Sequence, residues 1–363
     1  MPLPTVRLSG APYEQGRQHG AQLRQRIREN LDIYFERFLL EGKVNREEVL
    51  QRAARYAVAI ADQNPDYAAG MRGIADGSDL PLDEIVALNV RYEILYYQYA
   101  VNQMEGADGC TAFALAPDAT ADGRLLLGQN WDWIPEVRAA LLHTTHDDGL
   151  QTLAFTEAGI FGGKIGLNSA GVGLVINGIT STDDDWSRLG RPFHLRCYEA
   201  LRRRSLQEAR TAVAQNPVAC SANFLLAELP DRAANVEVAP AGVYESPWKQ
   251  GCLVHANHFV EPLRLGVHEP PDDRREYSCR RQERLERLLA QRPVSTSRLR
   301  EYLQDHTNAP RSICRHEEPS APIDEQYRTV ASIIIDLQKR VLYASDGPPC
   351  SNDYERVMLD PAP

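Results

Sequence analysis

Apolar residues follow two different periods along this chain, and the change falls near residue 110. In the first hundred residues the spacing is helical. Leu23, Ile27, Leu31, Tyr34 and Phe38 share one face after the Gly10-Ala11-Pro12 turn, and a second helix is predicted from Arg46 to Gln63, stopping near Asn64-Pro65. A third pattern starts at Pro81-Leu82-Asp83-Glu84. There Ile85, Leu88, Val90, Tyr92, Ile94, Leu95, Tyr96 and Tyr99 are apolar nearly all round, as in a buried helix, with Tyr96, Tyr97 and Tyr99 positioned as core or as the wall of a pocket. Beyond residue 110 strands are predicted from Thr111 to Ala116, Arg124 to Asn130, Leu141 to His146, Thr152 to Thr156 and Val172 to Ile179. Helices return from Phe193 to Arg204, Ser205 to Gln215, Asp272 to Gln291 and Thr296 to Asp305, with strands from Asn223 to Leu229 and Val236 to Val238 between them. A hairpin from Val330 to Leu337 and Val341 to Ser345 closes the pattern. Two layers of mainly antiparallel strands covered by helices accommodate this order, an α+β fold. Asp183-Asp184-Asp185 and the stretch from Glu317 to Pro322 are predicted as exposed loops that could lie over a site.

At 363 residues, 43% hydrophobic and 25% charged, the chain has the make-up of a folded protein with a sizeable core. Its net charge of −10 argues against nucleic acid as a partner, because phosphate binding needs Lys and Arg concentrated on one face. Arg202-Arg203-Arg204 and the arginines from Arg274 to Arg292 are interleaved with Glu199, Glu208, Glu276, Glu283 and Glu286, the pattern of solvated helix faces. No leader and no run near the roughly 20 apolar residues of a membrane span is visible, so no membrane partner is expected. Seven scattered cysteines fit a reducing compartment, and the expected location is cytoplasmic.

The candidate chemistry centres on Gly109-Cys110, followed by Gln129-Asn130-Trp131-Asp132-Trp133. An internal cysteine with a pKa of about 8.5 holds little thiolate at neutral pH. If the bond before Cys110 is cut, the freed α-amine, with a pKa of about 7.7–8.0, accepts the thiol proton, and nucleophile and base sit on one residue. Gly109 suits such a cut because it has no Cβ, and Gly106 and Asp108 make the preceding stretch loop-like. The strand from Thr111, the turn from Pro117 to Gly123 and the strand from Arg124 form a hairpin that brings Asp132 back toward Cys110.

These residues resemble the acyl-coenzyme A:6-aminopenicillanic acid acyltransferase family, a branch of the N-terminal-nucleophile hydrolases related to bile salt hydrolases and penicillin V acylases. The resemblance extends over most of the chain, through the runs Gly10 to Gly20, Gly73 to Gly77, Leu88 to Glu93, Gly163 to Gly171, His255-Ala256-Asn257-His258-Phe259 and Ser312-Ile313-Cys314-Arg315-His316. It implies a four-layer αββα sandwich over residues 1–363, autocleaved into an α chain of residues 1–109 and a β chain of 110–363 that stay associated. It further implies Cys110 as nucleophile, Asp132 as the group orienting the α-amine or thiol, Asn257 as oxyanion donor and Arg315 as a cation near the nucleophile. Asn177 is a candidate second oxyanion donor. The hairpin arginine of bile salt hydrolases has only Arg124 to match it, in a different context, so recognition of a bile-salt-like carboxylate is not expected.

The reaction so implied is hydrolysis of a small N-acyl compound through a thioester, with transfer to another acceptor as the alternative. The partners are then the N-acyl substrate and, for transfer, an acyl-CoA or an amine. Family members act on N-acyl β-lactam cores and on β-alanyl amines, so acyl and amine halves both stay open. No cofactor or metal is expected. Three other readings compete: a conventional cysteine hydrolase using His19, His255, His258 or His306 as base; a metal site at Cys252, His255 and His258, disfavoured because strand residues three apart face opposite sides; and a silent binding module.

Overall fold

The computed structural model describes residues 3–102, 109–270 and 274–360. Gly106, Asp108 and Asp272, which the sequence reading used, lie outside the described residues. Among the described residues, five helices precede Cys110: α1 (Pro12–Leu40), α2 (Arg46–Gln63), α3 (Pro65–Ser78), α4 (Leu82–Asn89) and α5 (Arg91–Asn102), with strand β1 (Thr5–Gly10) ahead of them. Then come β2 (Thr111–Leu115), β3 (Leu126–Trp133), β4 (Ala139–His146), β5 (Gln151–Glu157), β6 (Ile165–Asn168) and β7 (Val172–Gly178). Helices α6 (Phe193–Leu201) and α7 (Leu206–Ala214) lead to β8 (Ala222–Glu228), β9 (Arg232–Ala239), β10 (Gly242–Ser246) and β11 (Cys252–His255). The rest is α8 (Pro262–Leu265), α9 (Arg274–Leu289), α10 (Thr296–Leu303), β12 (Arg328–Asp336), β13 (Val341–Asp346) and β14 (Glu355–Met358).

The strands form two sheets, one in the order β1-β4-β5-β6-β7-β8-β9-β10 and one in the order β11-β2-β3-β12-β13-β14. All pairings are antiparallel except β1 with β4. The sheets meet where β2 and β3 cross β7, while α6 and α7 cover the larger sheet and α9 packs on β11 of the smaller. This is the expected four-layer αββα order. The two faces of the β2–β3 hairpin show why. Ala112, Ala114 and Leu127 belong to the main core between the sheets, whereas Phe113, Leu115 and Leu126 pack with Leu285, Leu289, Leu299 and Leu303 of α9 and α10. Alternation with both faces buried makes these strands apolar on each side. No helix among the described residues is long and apolar enough to cross a membrane.

Three expectations need correction. Residues 65–78 form α3, which the sequence reading left without an element. Its polar and small residues carry little apolar period because it packs backbone to backbone on α1: a Cβ on Gly16, Gly20, Gly73 or Gly77 would collide with main-chain atoms of the opposite helix. The glycines of the two N-terminal motifs thus serve packing and not chemistry. The single buried helix expected from Pro81 breaks at Val90, where the Asn89 amide donates to the carbonyls of Ile85 at 2.7 Å and Gly159 at 2.9 Å and draws the chain out of line. Finally, Asp184 is not exposed. Its carboxylate is buried and accepts from the backbone N–H of Ser181 and from both the N–H and hydroxyl of Ser221.

One buried carboxylate, Glu157 on β5, is a point at which several groups of the helices before Cys110 and of the sheets meet. Arg91 donates to it through Nε at 2.8 Å and through Nη2, and Lys164 Nζ and Tyr34 OH donate to it as well. The Trp133 indole donates in turn to Tyr34 OH at 2.7 Å. Burial would raise the Glu157 carboxyl, but Arg91 and Lys164 outweigh it and hold it well below the usual range. A depressed carboxyl pKa contributes stability that is present above the ordinary value of 4.5 and is lost as pH falls below it. Glu157→Gln in a Cys110→Ala background should therefore lose about 3–5 kcal/mol at neutral pH. Urea midpoints measured from pH 7 down to pH 3 should fall steeply below about pH 4.5 in the parent and much less in the variant. Equal acid slopes would show that this carboxylate does not carry the network.

Candidate active site

Cys110 sits immediately before β2 at the end of the inter-sheet core, 4% exposed. Antiparallel pairing of β2 with β3 sets Thr111 opposite Asn130, and this register brings Asp132 beside the Gly109-Cys110 junction. The Cys110 thiol donates to the backbone carbonyl of Asp132 at 3.7 Å. The Asp132 side chain reaches Gly109: a Cβ there would lie 2.8 Å from Asp132 Cβ, closer still to its Oδ2, and 3.0 Å from Arg315 Nη1. Any residue but glycine collides. The requirement at 109 is therefore close approach, since its φ is not left-handed.

Asp132 is fully buried, and burial pushes its carboxyl up to about 7 while Arg315 pulls the other way. Its Oδ1 accepts from the Thr329 hydroxyl at 2.7 Å, and among the described residues Oδ2 has no hydrogen-bond partner. Thr329 also fixes Arg315, since its Oγ1 accepts from the Arg315 N–H at 3.0 Å and its own N–H donates to the Arg315 carbonyl at 3.1 Å. The Arg315 guanidinium is buried over the Tyr327 ring, and burial pulls it down to about 10 against the attraction of Asp132. Sequence reasoning missed Thr329, and no spacing in the chain points to it.

Asn257 follows β11 and faces the end of β7. Its Nδ2 donates to the Gly178 carbonyl at 2.9 Å, its Oδ1 accepts from Arg281 Nη2 at 2.7 Å, and its N–H donates to Ser278 Oγ at 2.6 Å. Arg281 thereby decides which end of the amide faces inward. This corrects the reading of α9 as a solvated basic face: Arg281 is buried, although neighbouring arginines such as Arg280 are exposed. A signal was present, for Ser278, Arg281, Leu285 and Leu288 share one helical stripe.

Asn177 on β7 donates through Nδ2 to the carbonyls of Cys110 at 3.2 Å and His255 at 3.3 Å, while its Oδ1 accepts from Asn223 at 3.1 Å. Both amide hydrogens are engaged, so this side chain anchors the backbone of Cys110 to the opposite sheet. Arg124 lies at the far end of the hairpin, paired with Asp336 at 2.9 Å and Asp122 at 3.1 Å, away from Cys110.

A cavity of about 10 Å³, room for one water, touches Cys110 and Gly178 between Tyr92, Tyr96, Trp131 and Trp133. Arg91 and Lys164 form its polar end, and Lys164 Nζ stands 3.4 Å from the centre of the Trp131 ring. Of the three tyrosines ending the helical half, Tyr96 walls this cavity, Tyr97 lies under Arg52 and Tyr99 donates to Glu41 at 2.6 Å. A larger cavity of about 320 Å³ lies elsewhere, between β10, β11 and α9, and touches none of these site residues.

The four histidines considered as a base are committed elsewhere. His19 Nε2 accepts from the Gly159 N–H at 3.0 Å, and burial drives its ring down to about 4. His255 bonds Glu237 at 2.8 Å and the Ala256 carbonyl at 2.7 Å. His258 bonds Ser278 at 2.7 Å and is driven down to about 3 by burial, and His306 meets His316 at 3.1 Å. Cys252 turns outward into the α9 layer, so Cys252, His255 and His258 do not converge on a metal.

Two stacked sheets between helical layers, with a glycine-cysteine junction pressed on a buried carboxylate, define an αββα protein with a cysteine-centred site. The profile of the acyl-coenzyme A:6-aminopenicillanic acid acyl-transferase family matches residues 119–349, and the chain belongs to that family of acyl-transferring enzymes. A curated relative from Emericella nidulans, the acyl-coenzyme A:6-aminopenicillanic-acid-acyltransferase 40 kDa form, is 31% identical over 97% of this chain and 95% of its own. Among solved structures, a variant of the conjugated bile acid hydrolase from Clostridium perfringens is 12% identical, covering 69% of this chain and 92% of that one at a TM-score of 0.47. Penicillin V acylase from Agrobacterium tumefaciens is 12% identical, covering 69% and 86% at a TM-score of 0.43.

Thr329 provides a direct check on this arrangement. Thr329→Val keeps the shape but leaves Asp132 Oδ1 and the Arg315 N–H without their shared partner. Loss of about 1–3 kcal/mol is expected in denaturant unfolding of the Cys110→Ala form. An unchanged midpoint would mean that the hydroxyl does not hold the two groups.

Proposed function

We propose that the chain cuts its own Gly109–Cys110 bond and that Cys110, as a new N-terminus, is the nucleophile of an amidohydrolase or acyltransferase acting on a small N-acyl compound. The observation that carries this reading is the seat of Gly109, pressed against Asp132 Oδ2 and Arg315 with no space for a side chain. In the cut, the thiol adds to the Gly109 carbonyl carbon, the C–N bond breaks as sulfur takes the acyl group, and water then hydrolyses the thioester. Products are a carboxylate on Gly109 and a free amine and thiol on Cys110. A buried carboxyl near neutrality is suited to take and return the thiol proton. Its unsatisfied Oδ2, beside the junction, is positioned to accept from the new α-amine.

In turnover the amine takes the thiol proton, sulfur attacks the substrate carbonyl, and the Asn257 amide donates to the oxyanion. The leaving amine departs with the proton, and water or a second amine takes the acyl group from the thioester. The Emericella relative's name specifies an acyl-coenzyme A donor and an amine acceptor, which supports acyl transfer as the second reading. Residues 1–109 and 110–363 would stay together as one domain, because Tyr34 and Arg91 of the first meet Glu157 and Trp133 of the second in the buried core. We place the enzyme in the cytoplasm.

Intact mass under denaturing conditions tests the cut. Wild type should give two species, 1–109 and 110–363, and Cys110→Ala a single one. Gly109→Ala should slow the cut roughly tenfold or more through the collision with Asp132. A wild-type chain that stays whole on incubation would overturn the proposal. On cut enzyme, Asn257→Ala should lower turnover of N-acyl amides about 10²–10³-fold; a change below about threefold would remove Asn257 from the oxyanion site.

A further inference from the structure

Four side chains that the reaction does not use converge near the smaller sheet's edge. His306 lies in the loop after α10, Cys314 and His316 flank Arg315 ahead of β12, and Cys350 lies between β13 and β14. One donor atom from each falls within 4.8 Å of all the others. His316 Nε2 is 3.1 Å from His306 Nε2, 3.8 Å from Cys314 Sγ and 3.2 Å from Cys350 Sγ. A tetrahedral zinc ion with bonds of about 2.3 Å to sulfur and 2.0–2.1 Å to nitrogen sets N–N and S–N edges near 3.3 Å and 3.6 Å. The three distances from His316 Nε2 are close to those edges, and the remaining pairs lie within 4.8 Å. We propose that His306, Cys314, His316 and Cys350 form a structural Zn²⁺ site.

The chemistry of the set agrees. Two thiols give up their protons to solvent as the ion binds, two imidazoles bind as neutral donors, and the dication is balanced by two thiolates. With four protein ligands no position is left for water or substrate, which makes the site structural. Nearby backbone bonds hold the ligand loops in place. The Cys314 N–H donates to the Asp305 carbonyl at 3.0 Å, the Ala309 N–H to the His306 carbonyl at 3.0 Å, and the Ser312 hydroxyl to the Cys314 carbonyl at 2.7 Å.

The α10 loop and the Arg315 segment are already joined by the Cys314 N–H to the Asp305 carbonyl, and the ion would tie both to the β13–β14 turn. Its position gives it a role in the site already described. Cys314 and His316 are the residues on either side of Arg315, whose guanidinium lies against Gly109. An ion holding both neighbours would fix the Arg315 backbone from outside, as Thr329 does from inside.

The test uses the full wild-type chain, grown with zinc and dialysed into metal-free buffer. Elemental analysis should find about one zinc per chain, and X-ray absorption two sulfur ligands at about 2.3 Å and two nitrogens at about 2.0–2.1 Å. Cys350→Ala and His306→Ala should each reduce retained zinc about tenfold or more. If either variant does not fold, zinc-stripped wild type titrated with Co²⁺ should show the intense bands of tetrahedral cobalt with thiolate ligands. Zinc below about 0.1 per chain with no cobalt spectrum would overturn the site. So would undiminished zinc in both variants, or a Cys314–Cys350 disulfide in zinc-free protein as purified.

Discussion

The fold rests on an ionised carboxylate placed where no water reaches it. Glu157 has no exposure, and a lone carboxylate there would be prohibitively unstable. It is tolerated because Arg91 from the helical half and Lys164 from the sheet half both close on it, with Tyr34 as a third donor. Each partner is useful only if the others are in place, so the network ties the packing of α1 and α5 to the path of β5. Arg91 and Lys164 also form the polar end of the cavity at Cys110, and Trp133, bonded to Tyr34, walls it. The attachment of the helices and the surroundings of Cys110 are consequently one problem with one solution. The proposed division after Gly109 would run through this network, which is why two chains would behave as one domain.

A second constraint is steric. Asp132 is carried to the junction by the β2–β3 register, and a slip of one residue would turn it to the opposite face and bring Trp131 or Trp133 into its place. The register is pinned from both sides: Gln129 Oε1 accepts from the Ile176 N–H at 2.7 Å across the sheets, and Asn130 donates to the carbonyls of Leu303 and Ile313 at 2.8 Å each on the outer face. The polar run Gln129-Asn130-Trp131-Asp132 is therefore half structural. Its two amides lock the strand that delivers the carboxylate.

Much of this was legible in the chain because period and chemistry coincide there. The hairpin at Thr111, the strands through Val172 and the amphipathic α9 and α10 were marked by alternation or by a helical stripe, and Cys110 and Asp132 lie at the ends of that hairpin, whereas Asn257 after β11 and Arg315 in a loop ahead of β12 were named from their motifs without a predicted element. What escaped has physical causes. The α3 helix buries glycine backbone instead of apolar side chains. The Val90 break is imposed by the contacts of Asn89 with Gly159 and with Tyr67, seventy and twenty-two residues away. The inward turn of Arg281 was hidden among exposed arginines. The His306, Cys314, His316 and Cys350 cluster was invisible because its members spread over 45 positions and only Cys314 and His316 are near neighbours; the more regular spacing of Cys252, His255 and His258 drew attention to a set that the strand itself separates.

The two asparagines of the site show how far residue type alone falls short of assigning a role. A side-chain amide has two N–H donors, and an oxyanion needs one that is not already engaged. Asn177 has both directed at backbone carbonyls, one of them that of Cys110, so using it for an oxyanion would release the anchor of Cys110. Asn257 has one directed at Gly178, and no described residue accepts from the other. That second donor lies on the Gly178 side because Arg281 occupies Oδ1, and reversing the amide would place a carbonyl against the Gly178 oxygen and an amine against a guanidinium. The orientation of Nδ2 toward Gly178 is therefore set by the fold itself, which is the preorganisation the proposed oxyanion donor would require. Arg281, twenty-four positions away on α9, sets it.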